Sequence, residues 1–230
     1  MTTMKEALVV VARAPRAGEV KTRLAAVLGA ERTLGLYVCF LRDTFALMEA
    51  ARDARPGLSL VLCHTPADAG EEFECVERGG SLMLAQRGDD FGARLQNCFA
   101  DLFAAGYEAV VVMDADSPTL PVEHLLAAFD ELRDERTVVL GPARDGGYYL
   151  IGLRRLHAVL FEDIHWGTET VLAETRERAQ AAGLATRLLA EWYDVDTPAE
   201  LAQLRQELNG GGASAGFTRA FLRGLEKEHG

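Results

Sequence analysis

Two short runs constrain this chain more than anything else in it. Ala7–Ala12 (ALVVVA) and Ala109–Met113 (AVVVM) are unbroken apolar stretches of strand length, rich in valine. A strand with one wet face alternates apolar and polar residues, whereas an unbroken run implies burial on both faces. Both faces of such a sheet need covering, and the segments between the runs supply helices. Leu34, Val38, Leu41, Phe45 and Met48 recur at helical spacing.

The pattern continues along the chain. After Pro56-Gly57, Leu58–Cys63 reads as a strand, and Leu82–Ala85 as a weaker one. Phe91–Phe103 reads as a helix, then Val122–Leu132 as another. Thr137–Leu140 and Tyr148–Leu153 are strands, and Thr168–Ala182 is a charged helix. Leu184–Leu189 and Trp192–Val195 are expected as the last strands, followed by a helix from Pro198 to Leu208. This order predicts an α/β fold, with a mostly parallel sheet and helices on both faces. Ligands of such sheets bind at the carboxyl ends of the strands.

With 230 residues the chain suits one large domain, 1–208. Residues 209–216 (NGGGASAG) read as a flexible linker. Residues 217–230 read as a short amphipathic tail helix, with Phe217, Phe221 and Leu225 on one side. That helix is expected to dock on the body or on a second copy in a homodimer. A stop after Leu208 is expected to cost little unless Phe221 and Leu225 bury.

The net charge of −11 argues against a nucleic-acid partner, because the chain as a whole repels a phosphate backbone. The longest clean apolar run has six residues, against the roughly 20 that a membrane span needs. Met1–Glu6 has no signal-peptide character, so the expected location is cytoplasmic. Four dispersed cysteines with no CxxC pair are expected to be reduced thiols.

The chemistry gathers at strand exits. After the first strand come Arg13, Arg16, Lys21 and Arg23 around Pro15 and Gly18. Neither GxGxxG nor GxxxxGK[ST] is present, so what remains is an anion site or a solvated basic loop. Its place after the first strand favours the anion site. Asp114 and Asp116 follow the Ala109–Met113 strand, and Asp194 and Asp196 follow Trp192–Val195. Paired carboxylates suit Mg2+ or Mn2+, which take oxygen ligands together with phosphates. Thr197, Pro198 and Glu200 form a helix start that needs neither Asp194 nor Asp196. Asp145-Gly146-Gly147-Tyr148 is a turn or a place of close ligand approach. Gln86 and Arg94 are candidates for base and phosphate contacts, and Trp166 lies in a candidate acceptor loop before Thr168.

Taken in order, Ala12–Pro15, Val20–Leu24, Gln86, Gly92–Arg94, Asp116–Pro118, Gly141–Leu150, Trp166–Thr168 and Asp194–Pro198 resemble a known family. It is the bacterial glycosyltransferase-like family of radical-SAM/selenodomain-associated transferases, first type. The resemblance spans about Ala7 to Leu208. It implies a Rossmann-like GT-A fold, as in nucleotide-diphospho-sugar transferases and cofactor guanylyltransferases, together with a nucleotide substrate and a divalent metal. It implies catalytic roles for Asp116, Lys21 and Asp145. Arg13, Lys21, Arg23, Gln86 and Arg94 would bind nucleotide. Gly146, Gly147, Tyr148 and Trp166 would bind the acceptor. Asp116 and Asp196 would hold the metal, with Asp114 as a further ligand; relatives often carry a small residue at the place of Asp114.

The leading expectation is a metal-dependent glycosyltransferase with a nucleotide-sugar donor and an unidentified small-molecule acceptor. A nucleotidyltransferase, moving NMP from an NTP to a phosphorylated acceptor, is the alternative. The four cations of the basic loop slightly favour that alternative. A nucleotide-binding module without turnover ranks third.

Overall fold

The computed structural model describes residues 4–76, 80–211 and 214–227. Seven strands form one sheet: β1 (Glu6–Arg13), β2 (Ser59–Thr65), β3 (Ser81–Ala85), β4 (Ala109–Met113), β5 (Thr137–Pro142), β6 (Tyr148–Leu153) and β7 (Ala185–Leu188). Their order across the sheet is β3-β2-β1-β4-β6-β5-β7. Only β6 runs against the others, pairing antiparallel with β4 and β5. The helices are α1 (Thr22–Leu28), α2 (Ala30–Ala54), α3 (Phe91–Ala104), α4 (Val122–Glu131), α5 (Val171–Ala181), α6 (Pro198–Asn209) and α7 (Gly216–Lys227).

Helices cover both faces, and β1 shows why the sheet needs them. Leu8 and Val10 pack with Tyr37, Leu41 and Met48 of α2 and Leu125 of α4. Ala7 and Val9 point the other way, into a cluster with Leu95, Phe99 and Leu102 of α3. Successive residues of the run thus serve two cores, so it admits no polar position. Among the described residues, no helix is long and apolar enough to cross a membrane.

Two expectations are corrected. Trp192–Val195 is not a ladder strand: it makes a single bridge, between Trp192 and Ala143. The segment instead crosses the end of the sheet, donating Trp192 N–H to Pro142 O and Val195 N–H to Asp116 O. Tyr193 and Val195 alternate inward as a strand would, but they pack with α1, α2 and α6. The polar helix begins at Val171 rather than Thr168.

The expected linker 209–216 is shorter than its composition suggests. Asn209 ends α6 and Gly216 begins α7, while 212–213 lie outside the described residues. Of the expected tail helix, 217–227 belong to α7 and 228–230 lie outside the described residues. The helix packs on α2, with Leu222 and Thr218 buried. Phe221 lies over Gly35, so close that a Cβ there would stand 2.7 Å from its ring. The buried Asp43 carboxylate of α2 accepts the N–H groups of Phe217 (3.0 Å) and Thr218 (2.8 Å). It satisfies two of the N–H groups that any helix start leaves unpaired.

Candidate active site

The carboxyl ends of β1 and β4 and the crossing segment 192–196 meet at one point. There Lys21 Nζ lies 2.7 Å from Asp116 Oδ1 and 2.5 Å from Asp196 Oδ1. The Lys21 side chain is only 5% exposed, and the carboxylates are 35% and 39% exposed. Burial opposes the ammonium charge, but attraction to Asp116 and Asp196 outweighs it and holds Lys21 above the ordinary lysine range. Lys21 takes a left-handed backbone (φ 47°) immediately before α1. For a residue with a Cβ that conformation is strained, and it persists here where the side chain has a fixed job.

Local structure aims each carboxylate. Asp114 Oδ1 accepts the N–H of Asp116 at 3.0 Å, closing a tight turn after β4. Glu200 Oε2 accepts the N–H groups of Asp196 and Thr197, both at 2.7 Å, and Thr197 caps the N–H of Glu200. The helix start read from the sequence is therefore a complete capping box, and it also fixes the backbone of Asp196. Burial, the neighbouring Asp116 and then Asp194 push Asp114 well above the usual carboxylate range. Asp194 is pushed up to about 6 by burial and by Asp145 and Asp196.

Beside this group opens a cavity of about 420 Å3. Gly147, Tyr148 and Trp166 of the expected acceptor set line it, as do the expected catalytic Asp145 and the carboxyls Asp114 and Asp194. Gly146 has another task. A Cβ there would stand 2.1 Å from the Glu169 carbonyl, and its φ is +92°. The glycine makes room for the loop before α5 rather than for a ligand. Sequence reasoning missed Phe91, whose ring meets Trp166 edge-on at 5.0 Å and lines the same cavity. It also missed Glu174, which accepts from His165 N–H (2.8 Å) and Thr170 Oγ1 (2.8 Å) and so staples the Trp166 loop. Neither residue belongs to a motif.

The cations of the first loop are largely engaged. Glu72 grips Arg16, accepting from Nε at Oε2 (2.9 Å) and Oε1 (3.2 Å) and from Nη2 at Oε1 (2.6 Å). Arg13 Nη1 donates to Glu19 O at 3.4 Å, and Arg23 is exposed. Gln86 Nε2 donates to Cys63 O at 2.9 Å, and Arg94 Nε donates to Gly88 O at 3.1 Å. The structure thus joins Lys21, Asp116 and Asp196 directly, while the contacts of Gln86 and Arg94 go to their own neighbours.

The donor chemistry suits a divalent cation shared with a ligand. Asp116 and Asp196 converge on one ammonium, with Asp114 and Asp194 next to them and Asp145 beside Asp194. Among the described residues no three His, Cys, Asp or Glu side chains surround a common point. One or two carboxylates completed by phosphates and water is how Mg2+ is commonly held.

Comparison with known proteins places the fold and the family. A structure from Desulfovibrio desulfuricans G20, a candidate nucleotide-diphospho-sugar transferase, is 32% identical over 98% of this chain and 96% of its own, with TM-score 0.86. A nucleotidyl transferase from Methanothermobacter shares the fold at 17% identity, TM-score 0.60, covering 90% and 99% of the two chains. A cytidylyltransferase from Leptospira borgpetersenii shares it at 12% identity and TM-score 0.54, covering 98% and 95%. No curated protein matches the sequence. The profile of the family described as "Uncharacterized protein conserved in bacteria (DUF2064)" matches residues 47–168. The chain therefore belongs to the DUF2064 family, and its fold is the Rossmann-like, GT-A-like fold of the nucleotide-diphospho-sugar transferases.

Proposed function

We propose that the protein is a nucleotide-using transferase that moves a sugar from a nucleotide-diphosphate donor to a small-molecule acceptor. One observation carries the reading: Lys21, Asp116 and Asp196 converge at the carboxyl edge of the sheet, beside a cavity that can take an acceptor. The likeness to the Desulfovibrio protein, over nearly the whole chain, supports the donor class. Sugar transfer is preferred to nucleotidyl transfer because Arg16 and Lys21 are already paired with carboxylates. The surplus of cations that would suit a triphosphate is therefore smaller than the sequence suggests.

In this reading Asp116 and Asp196 hold Mg2+ or Mn2+. When bound, the ion supplies positive charge that stabilises the departing diphosphate. Asp114 supports Asp116 through its N–H; as a carboxyl pushed toward the neutral form, it is the weaker ligand. Lys21, beside Asp116 and Asp196, would meet the phosphates of the donor, with Arg13 at the end of β1 and Arg23 in the first turn of α1. Gln86 and Arg94 flank the nucleotide on the β3 side. The acceptor oxygen forms a bond to the anomeric carbon. The bond from that carbon to the phosphate oxygen breaks, and its electron pair leaves with the nucleoside diphosphate. The acceptor proton passes to the Asp145 carboxylate, which lines the cavity.

Incubation with a panel of nucleotide sugars and nucleoside triphosphates, with Mn2+ or Mg2+, tests this. Release of nucleoside diphosphate is expected. Pyrophosphate release would make the protein a nucleotidyltransferase, and binding without release would make it a passive module. Asp116→Asn is expected to remove metal-dependent nucleotide binding, measured by calorimetry, while the chain still folds at a lowered melting temperature, because Lys21 loses one of its two partners. Full metal-dependent turnover in that variant would refute the assignment of Asp116.

A further inference from the structure

The cavity beside Lys21 has a composition that selects its occupant. Among the described residues its wall has three acidic side chains, Asp114, Asp145 and Asp194, and no lysine, arginine or histidine. Four aromatic residues, Phe91, Tyr148, Tyr149 and Trp166, form another part of the wall. Trp166 stands edge-on to Phe91 at 5.0 Å and to Tyr148 at 6.3 Å. The remaining wall is mostly aliphatic, with Val112 and Ile151 from the sheet. Lys21 is not part of that wall, and its ammonium is committed to Asp116 and Asp196.

We infer that the acceptor carries no negative charge: it has an apolar or ring-shaped body and presents a hydroxyl or amino group to the carboxylates, and phosphorylated acceptors are excluded. This rests on the proposed transferase reading and names its acceptor class. Aromatic and aliphatic walls favour an apolar body and the face of a ring. A phosphate placed against Asp145 and Asp194 would be repelled at short range in a partly desolvated site, and the neutral form toward which burial pushes Asp114 offers it no cation. An ammonium there gains both carboxylate attraction and the negative faces of the aromatic rings. The Trp166 wall is held by Glu174, whose carboxylate fixes the loop from His165 to Thr170.

The test uses three probes that share one body: 2-phenylethylamine, 2-phenylethanol and 2-phenylethyl phosphate. Their binding to the whole protein is followed by calorimetry and by quenching of tryptophan fluorescence. The amine is expected to bind about tenfold or more tighter than the phosphate, with the alcohol between them, and added salt should narrow the gap. Trp166→Ala is expected to weaken amine and alcohol alike, whereas Asp145→Asn should weaken the amine and spare the alcohol. The phosphate binding as tightly as the amine, or no binding by amine and alcohol, overturns the inference. So does amine affinity unchanged in both variants. Donor turnover, assayed separately, keeps the two readings apart. A protein that releases nucleoside diphosphate but prefers the phosphate probe loses this inference and keeps the proposed reaction. A protein with the expected probe order but no release does the reverse.

Discussion

Replacing Lys21 by methionine isolates the charge at the centre of the site. The new side chain has similar length and also carries a Cβ, so the strained backbone at φ 47° is common to both proteins. What disappears is an ammonium 2.7 and 2.5 Å from two carboxylates. At an effective dielectric of about 20, each pair is worth roughly 6 kcal/mol before desolvation. The cost of burying the ammonium offsets much of this, and exposures of 35% and 39% let water screen the carboxylates. Removing one partner of a fully buried pair costs about 3–5 kcal/mol, so a loss of about 2–3 kcal/mol is expected here. For a chain of this size that corresponds to a fall of about 1 M in the urea midpoint at pH 7.

The pH course adds a check. Because folding raises the Lys21 pKa, its stabilisation is fully present below the unfolded lysine value of about 10.4 and is lost only above it. The gap between the two proteins should therefore stay constant from pH 7 to 9. Mn2+ gives the decisive arm. In the wild type it competes with the ammonium for Asp116 and Asp196, and in Lys21→Met it does not. Manganese should raise the midpoint of the variant more than that of the wild type. An unchanged midpoint, or an equal response to Mn2+, would refute the view that Lys21 neutralises a cation-binding pair.

Three further outcomes are expected. Asp43→Ala should cost about 2–4 kcal/mol in urea unfolding and raise amide exchange first in α7, because it leaves the N–H groups of Phe217 and Thr218 without their acceptor; unchanged exchange there would refute the anchoring role. Asp194, raised to about 6, binds its proton more tightly when folded, so it lowers stability as pH rises from about 4 to 6. Asp194→Asn should accordingly gain about 1–2 kcal/mol at pH 7 after screening and flatten that pH window in unfolding curves. Gly146→Ala must move the Glu169 backbone and adopt a positive φ, so about 2–4 kcal/mol of stability should go, and donor turnover with it.

What could be read from the sequence depended on whether a signal was local. The β1 and β4 runs declared themselves because burial on both faces forbids polar residues within them. The α6 start was legible because a capping box lies within four residues, Thr197 to Glu200. The α1 helix was missed: it has seven residues and buries only Leu24, too little for a helical period. Trp192–Val195 was misread because alternation reports which residues turn inward, not whether the backbone has a ladder partner. Counting cations in the first loop misled for a similar reason. Arg16 is paired with Glu72, which lies 56 positions away, and charge counts carry no pairing. The role of α7 depends on Asp43 of α2, likewise beyond any local pattern.

The position of Asp196 links the fold to its chemistry. It immediately precedes the cap of α6, as Lys21 immediately precedes α1. Leu24 of α1 packs in one cluster with Leu201 and Leu204 of α6, which sets those two helix starts side by side. The third partner, Asp116, is fixed to the same segment because Val195 donates its N–H to Asp116 O at 2.9 Å. The distance between the ammonium and its two carboxylates is thus set by apolar packing and backbone hydrogen bonds, not by the flexible lysine finding its partners. Such support lets like charges stay close, which a surface cluster would relieve by moving apart. It also accounts for the left-handed Lys21: with α1 held against α6, strain in one residue is the local cost of aiming its side chain back across the sheet edge.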